Sequence, residues 1–93
     1  MGNEKLLESN LRNAVKKLGG WAIKFWPVSL AGFPDRFVLV PGAKIYFVEM
    51  KTTGEKPSPI QRIMHAKLLK LGFPVWVIDT QNKLNEFINE IKS

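Results

Sequence analysis

Apolar side chains recur along this chain with two periods, and the switches between them mark out seven elements. From Glu4 to Leu18, the apolar positions Leu7, Leu11, Ala14, Val15 and Leu18 fall on one face of a helix. Gly19-Gly20 ends that helix, because glycine readily takes the left-handed conformation found just past a helix C-terminus. Trp21 to Val28 is rich in aromatic and β-branched residues and reads as a strand. Ser29 to Pro34 is a loop, interrupted by Gly32 and Pro34. Arg36 to Val40 is an apolar strand, Pro41-Gly42-Ala43 a turn and Lys44 to Lys51 a second strand, together a tight β-hairpin. Thr52 to Pro57 is polar and forms a loop. A helix then starts with Ser58 as N-cap, Pro59 at the first helical position and Gln61 closing a capping box. Ile60, Ile63, Met64, Leu68 and Leu71 give its apolar stripe, and Gly72 ends it. Pro74 to Asp79 is a fourth strand, centred on Val75-Trp76-Val77-Ile78. Thr80 to Ile91 is a last helix with Leu84, Phe87, Ile88 and Ile91 facing inward.

The order α-β-β-β-α-β-α places the chain in the α/β class. The third strand, second helix and fourth strand make a β-α-β unit, so those strands should be parallel with a right-handed crossover. The hairpin strands are apolar on both faces except at their charged end. That suits a mixed four-stranded sheet flanked by helices on both sides. A chain of 93 residues makes one domain, residues 1–93, whose core is modest, so pairing with a second copy would help it.

The hairpin also makes a chemical prediction. A three-residue loop sets Val40 opposite Lys44. Counting back, Leu39 faces Ile45, Phe37 faces Phe47 and Asp35 faces Glu49. Opposed residues share a sheet face, with Cβ atoms about 5 Å apart. Lys51, two residues beyond Glu49, points to the same side. Carboxylates that close repel unless one takes up a proton or a cation binds between them. Singly, each residue has a simpler explanation. Pro-Asp is a usual turn dipeptide, and a Glu49–Lys51 contact is an ordinary surface pair. The register is what joins them.

Composition narrows the partners. Hydrophobic residues are 45% and charged residues 24%, which argues against disorder. No apolar run is long enough for a bilayer, and Met1 to Lys5 lacks the apolar stretch of a signal peptide. With no cysteine, disulfides and thiolate metal sites are excluded, and an intracellular, cytoplasmic location is expected. The net charge of +6, from 14 Lys+Arg against 8 Asp+Glu, favours a polyanion such as nucleic acid. The basic residues, among them Lys16, Lys24, Lys44, Arg62 and Lys70, are dispersed over several elements, so a basic face is expected rather than a basic tail. A non-catalytic nucleic-acid-binding module would satisfy the charge equally well, but it would not need Asp35, Glu49 and Lys51.

Pro34-Asp35 followed by Glu49-Met50-Lys51 is similar to the core of the PD-(D/E)xK nucleases. Gly32-Phe33-Pro34-Asp35, Phe47-Val48-Glu49-Met50-Lys51-Thr52, Ser58-Pro59-Ile60-Gln61 and Leu71-Gly72-Phe73-Pro74-Val75-Trp76-Val77, in that order, resemble the VRR-NUC (viral replication and repair nuclease) domain. The resemblance runs from Glu8 to the last helix and is to the stand-alone, phage-type form. It implies a restriction-endonuclease-like core and a DNA endonuclease, a hydrolase dependent on Mg²⁺ or Mn²⁺. Asp35, Glu49 and the backbone carbonyl of Met50 would bind the ion, and hard oxygen donors suit such ions. Lys51 would position the attacking water or stabilise charge on the phosphate. Glu8 matches the family's additional acidic residue and would complete the metal site or bind a second ion through water, although an i,i+4 pair with Arg12 would account for it too. Gln61 matches the family's glutamine, although the capping box already explains it. Stand-alone members resemble four-way-junction resolvases, which implies branched DNA as substrate, a homodimer and action in a bacterial host, with duplex nicking as the alternative.

His65, the only histidine, lies one turn after Gln61. A solvated or partly packed histidine is the default there, and a catalytic base the alternative. Core or interface packing is likewise the default for Trp21, Trp26 and Trp76. The loop from Trp26 to Leu30 could instead stack bases or join subunits.

Overall fold

A computed structural model describes residues 3–25 and 30–92 of the chain. All seven elements form: α1 (Asn3–Lys17), β1 (Trp21–Lys24), β2 (Arg36–Val40), β3 (Lys44–Met50), α2 (Pro59–Lys70), β4 (Val75–Ile78) and α3 (Gln81–Ile91). The sheet order is β1-β2-β3-β4, with β3 and β4 parallel and the other neighbours antiparallel. The hairpin closes in the expected register, with Val40 opposite Lys44, Leu39 opposite Ile45 and Phe37 opposite Phe47. Its turn places Gly42 and Ala43 at φ 94° and 62°, a left-handed pair that only a short hairpin loop requires.

The first strand is shorter than the Trp21 to Val28 expected. Pairing with β2 stops at Lys24–Arg36, although the Phe25 N–H still donates to the Asp35 carbonyl at 3.0 Å. The remainder of the expected strand, Trp26 to Val28, lies outside the described residues, as does most of the loop from Trp26 to Leu30. Close packing of β1 is secured by Gly20. A Cβ there would lie 2.4 Å from the Leu39 carbonyl oxygen.

Each face of the sheet is closed differently. On one side, Leu7, Leu11 and Val15 of α1 and Leu84, Phe87 and Ile91 of α3 pack on Val38, Val40, Val48, Met50 and Ile78. This is the main core. On the other side, Phe25 stacks on Phe37 with centroids 4.3 Å apart, and Phe33 and Phe73 meet Phe47 edge-on, each at 5.7 Å. The second helix flanks this aromatic side.

One expectation about packing needs correction. The apolar stripe of α2 does not face inward, since Ile60, Ile63 and Leu71 are 51%, 68% and 70% exposed and Leu68 alone is buried. The face α2 turns to the sheet carries Gln61, His65 and Leu68, at helical spacing, because a buried acid on β3 needs polar partners there. The tryptophans divide. Trp76 packs against Phe87, whereas Trp21, on the edge strand, is 66% exposed. Trp26 lies outside the described residues.

Candidate active site

The charged end of the hairpin gathers the residues singled out above. Glu49 is the sixth residue of β3, and the apolar residues before it carry its carboxylate into the sheet, where it is 4% exposed. Asp35 stands one residue before β2, next in register after the Arg36–Val48 pair. Its Oδ1 accepts from the Met50 N–H at 3.5 Å, which ties it across the hairpin to the end of β3. Lys51 follows, its N–H bonded to the Ile78 carbonyl at 3.0 Å, so the β3–β4 ladder holds the backbone that bears it.

Burial sets the electrostatics. It pushes the Glu49 carboxyl up to about 7, and the charge on Asp35 adds to the rise while Lys51 opposes it. Burial also raises Asp35 above its usual value, against the pull of Arg36, the Met50 N–H and Lys24. Two acids share a desolvated corner, and neither is comfortable as an anion.

The second helix completes the corner. The Ser58 hydroxyl accepts from the Gln61 N–H at 3.2 Å, and the Gln61 side-chain oxygen accepts from the Ser58 N–H at 2.9 Å, closing the capping box. The same Gln61 side chain donates through Nε2 to Glu49 Oε2 at 3.3 Å. Gln61 thus closes the capping box and touches Glu49 with the same side chain. One turn on, His65 Nε2 lies 3.8 Å from Glu49 Oε1. Burial holds that imidazole below its usual pKa, and Lys51 adds to the effect. Gly32 lets the loop bearing Asp35 approach this helix. It sits at φ +80°, and a Cβ there would lie 2.6 Å from the Ile60 carbonyl oxygen.

Glu8 is placed otherwise than the i,i+4 explanation supposed. Its Oε1 pairs at 2.6 Å with Nη2 of Arg36, not with Arg12, and Arg36 is only 1% exposed. The link passes through one residue to Asp35, since Arg36 is its neighbour in the chain. Arg36 looked like an ordinary strand-start cation in the sequence. Nothing in the spacing signals that α1 would cover it.

Other residues close to the site were also silent in the sequence. The Thr52 hydroxyl bonds Glu4 Oε1 at 3.3 Å, and the Thr52 N–H donates to Glu55 Oε1 at 3.1 Å. Asp79 accepts from the Gly54 N–H at 3.1 Å, and its carbonyl accepts from Thr53 at 3.0 Å. These contacts clamp the turn that follows Lys51. The one available clue was Asp79 itself, an acid directly after a buried parallel strand.

Among the described residues, no three His, Cys, Asp or Glu side chains form a ready-made metal cage. What fits a cation is the donor chemistry. Glu49 Oε1 is buried with no hydrogen-bond partner, beside a second raised carboxyl. A buried anionic oxygen without a partner is costly, and a hard cation removes that cost.

The comparisons with known proteins agree with this fold. The chain is 47% identical over 79 residues to "Putative nuclease p44" of Acyrthosiphon pisum secondary endosymbiont phage 1, an alignment covering 85% of each chain. It superposes on a solved structure described as a VRR_NUC domain with a TM-score of 0.86 and 28% identity, covering 94% of this chain and 95% of that one. No family sequence model matches.

Proposed function

Because this chain belongs to the VRR-NUC family of nucleases, we propose that residues 1–93 act as one metal-dependent DNA endonuclease domain that hydrolyses phosphodiester bonds in branched DNA. The observation that carries the reading is the buried Glu49 carboxyl, held near pH 7 beside Asp35 and next to Lys51. A structural strand end would not sustain two desolvated acids in one corner. A metal-free binding module would have no use for them.

Asp35, Glu49 and the Met50 carbonyl would hold Mg²⁺ or Mn²⁺, which would polarise the scissile phosphate and make a bound water more acidic. The chain's own groups supply the rest. Gln61 fixes the orientation of the Glu49 carboxylate through Oε2. The ammonium of Lys51 is compact and can approach a phosphate oxygen or align the attacking water as a point charge. The N-terminal turn of α2, whose first N–H groups lack intrahelical acceptors, favours an anion nearby. Attack of water from the side opposite the leaving oxygen inverts phosphorus as the P–O bond breaks. Glu8 acts at one remove, by pairing with the buried Arg36 that adjoins Asp35.

One such site cuts one strand, so resolving a four-way junction calls for two sites related by a dyad. Ile60 and Ile63 on α2, with Leu71 just past its end, share one side of the helix and are exposed, and a second copy would cover them. The net charge of +6 suits approach to DNA in a bacterial cytoplasm. No helix among the described residues is long and apolar enough to cross a membrane.

The test is incubation with linear duplex, flap and four-way-junction DNA in Mg²⁺, Mn²⁺ or EDTA. Cutting that needs the ion and falls symmetrically near the crossover is expected. Equal cutting of all three substrates would remove the branched-DNA preference and leave a duplex-nicking enzyme. No cutting with either ion, together with retained DNA binding, would replace the reading with a binding module.

A further inference from the structure

Glu49 has two oxygens, and the second helix treats them differently. Oε2 takes a hydrogen bond from Gln61. Oε1 faces the imidazole of His65, and the two facing atoms, Glu49 Oε1 and His65 Nε2, are both buried without a hydrogen-bond partner. Their separation of 3.8 Å is too long for a hydrogen bond. An oxygen and a ring nitrogen left without partners in a desolvated corner are costly, and a cation between them would satisfy both. Two donors each about 2.1 Å from one ion can stand up to about 4 Å apart, so this gap is within the span of a shared cation.

Gln61 and His65 are four residues apart on α2, so the same turn that anchors Oε2 aims the imidazole at Oε1. The capping box at Ser58 and the close packing of Gly32 on Ile60 hold that turn in place. The imidazole is thus delivered by a stable element and not by a mobile loop.

We propose that His65 is a nitrogen ligand to the divalent cation held by Glu49, and that it biases the site toward Mn²⁺ over Mg²⁺. The proposal rests on the cation-dependent reading above and adds a donor to it. A nitrogen ligand is better accepted by transition ions, whereas Mg²⁺ prefers oxygen and retains its waters. Glu49 Oε1 then meets the ion on one side and the His65 nitrogen on the other.

The test uses the full, tag-free chain and Mn²⁺ alone, read by pulsed electron paramagnetic resonance. Because His65 is the only histidine, a nitrogen modulation that changes on labelling with ¹⁵N-histidine can come from no other residue. We expect that modulation in the native protein and its loss in His65→Gln. Titration should show Mn²⁺ binding weakened by roughly tenfold or more in His65→Gln, with Mg²⁺ binding changed far less. Mn²⁺ that binds, and is lost in Glu49→Gln, but shows no histidine modulation would overturn the ligand assignment and leave the nuclease reading standing. Absence of Mn²⁺ binding in the native chain would overturn both. The spectroscopic arm uses unmodified protein, so a variant that fails to fold does not blur the outcome.

Discussion

Replacing Glu49 with glutamine should stabilise the metal-free protein, and should do so increasingly as pH rises. An unfolded Glu49 ionises near 4.5, while burial and Asp35 push the folded carboxyl up to about 7. The folded state therefore holds the proton more tightly. Below pH 4.5 both states are protonated and the site costs nothing. Between there and pH 7 the unfolded chain sheds its proton first, so stability falls with rising pH. Above pH 7 the full cost is present, at most about 3 kcal/mol at ~1.4 kcal/mol per pH unit. Glu49→Gln is nearly isosteric and keeps an acceptor for Gln61, so it removes this cost and little else. In a domain of this size each kcal/mol moves the midpoint by roughly 4–8 °C, so a gain on the order of 10 °C is expected at pH 8. Thermal melts in EDTA from pH 5 to 8.5 measure it. The gain should shrink as pH falls, to about a quarter of its pH 8 value by pH 5, and cleavage should be abolished throughout. A variant no more stable than the native chain at pH 8, or one offset equally at every pH, would refute the reasoning.

Three further outcomes follow from the geometry. Lys51→Ala should slow single-turnover cleavage roughly 100-fold while leaving Mn²⁺ binding intact, because the ammonium acts on the phosphate and not on the ion. An unchanged rate would remove Lys51 from the chemistry. Gly32→Ala, strained at φ +80° and overlapping the Ile60 carbonyl, should cost about 1–3 kcal/mol and push the Asp35 loop away from α2, lowering cleavage and urea midpoint together. Arg36→Met should cost about 3 kcal/mol in urea unfolding by stranding Glu8, and adding Glu8→Leu should recover most of it. Additive losses in the double variant would show that the pair is not coupled.

The hairpin and its register were readable from residue order because they depend on local chemistry. A three-residue turn, Pro41-Gly42-Ala43, leaves one way to pair Val40 with Lys44, and period-two alternation then carries Asp35 toward Glu49. The capping box at Ser58 was equally local. The residues it needs lie within four positions of one another. The second helix was misread for the opposite reason. Its apolar stripe predicts burial, but which face turns inward depends on what the sheet presents, and Glu49 draws Gln61 and His65 instead. The same holds for Glu8 and Arg36, whose pairing is decided by how α1 lies across β2. Spacing along the chain carries no signal for partners 28 residues apart. Local order thus set the elements and brought the two acids together. Packing between distant segments decided how deeply they are buried, and so what charge they can bear and which helix side chains attend them.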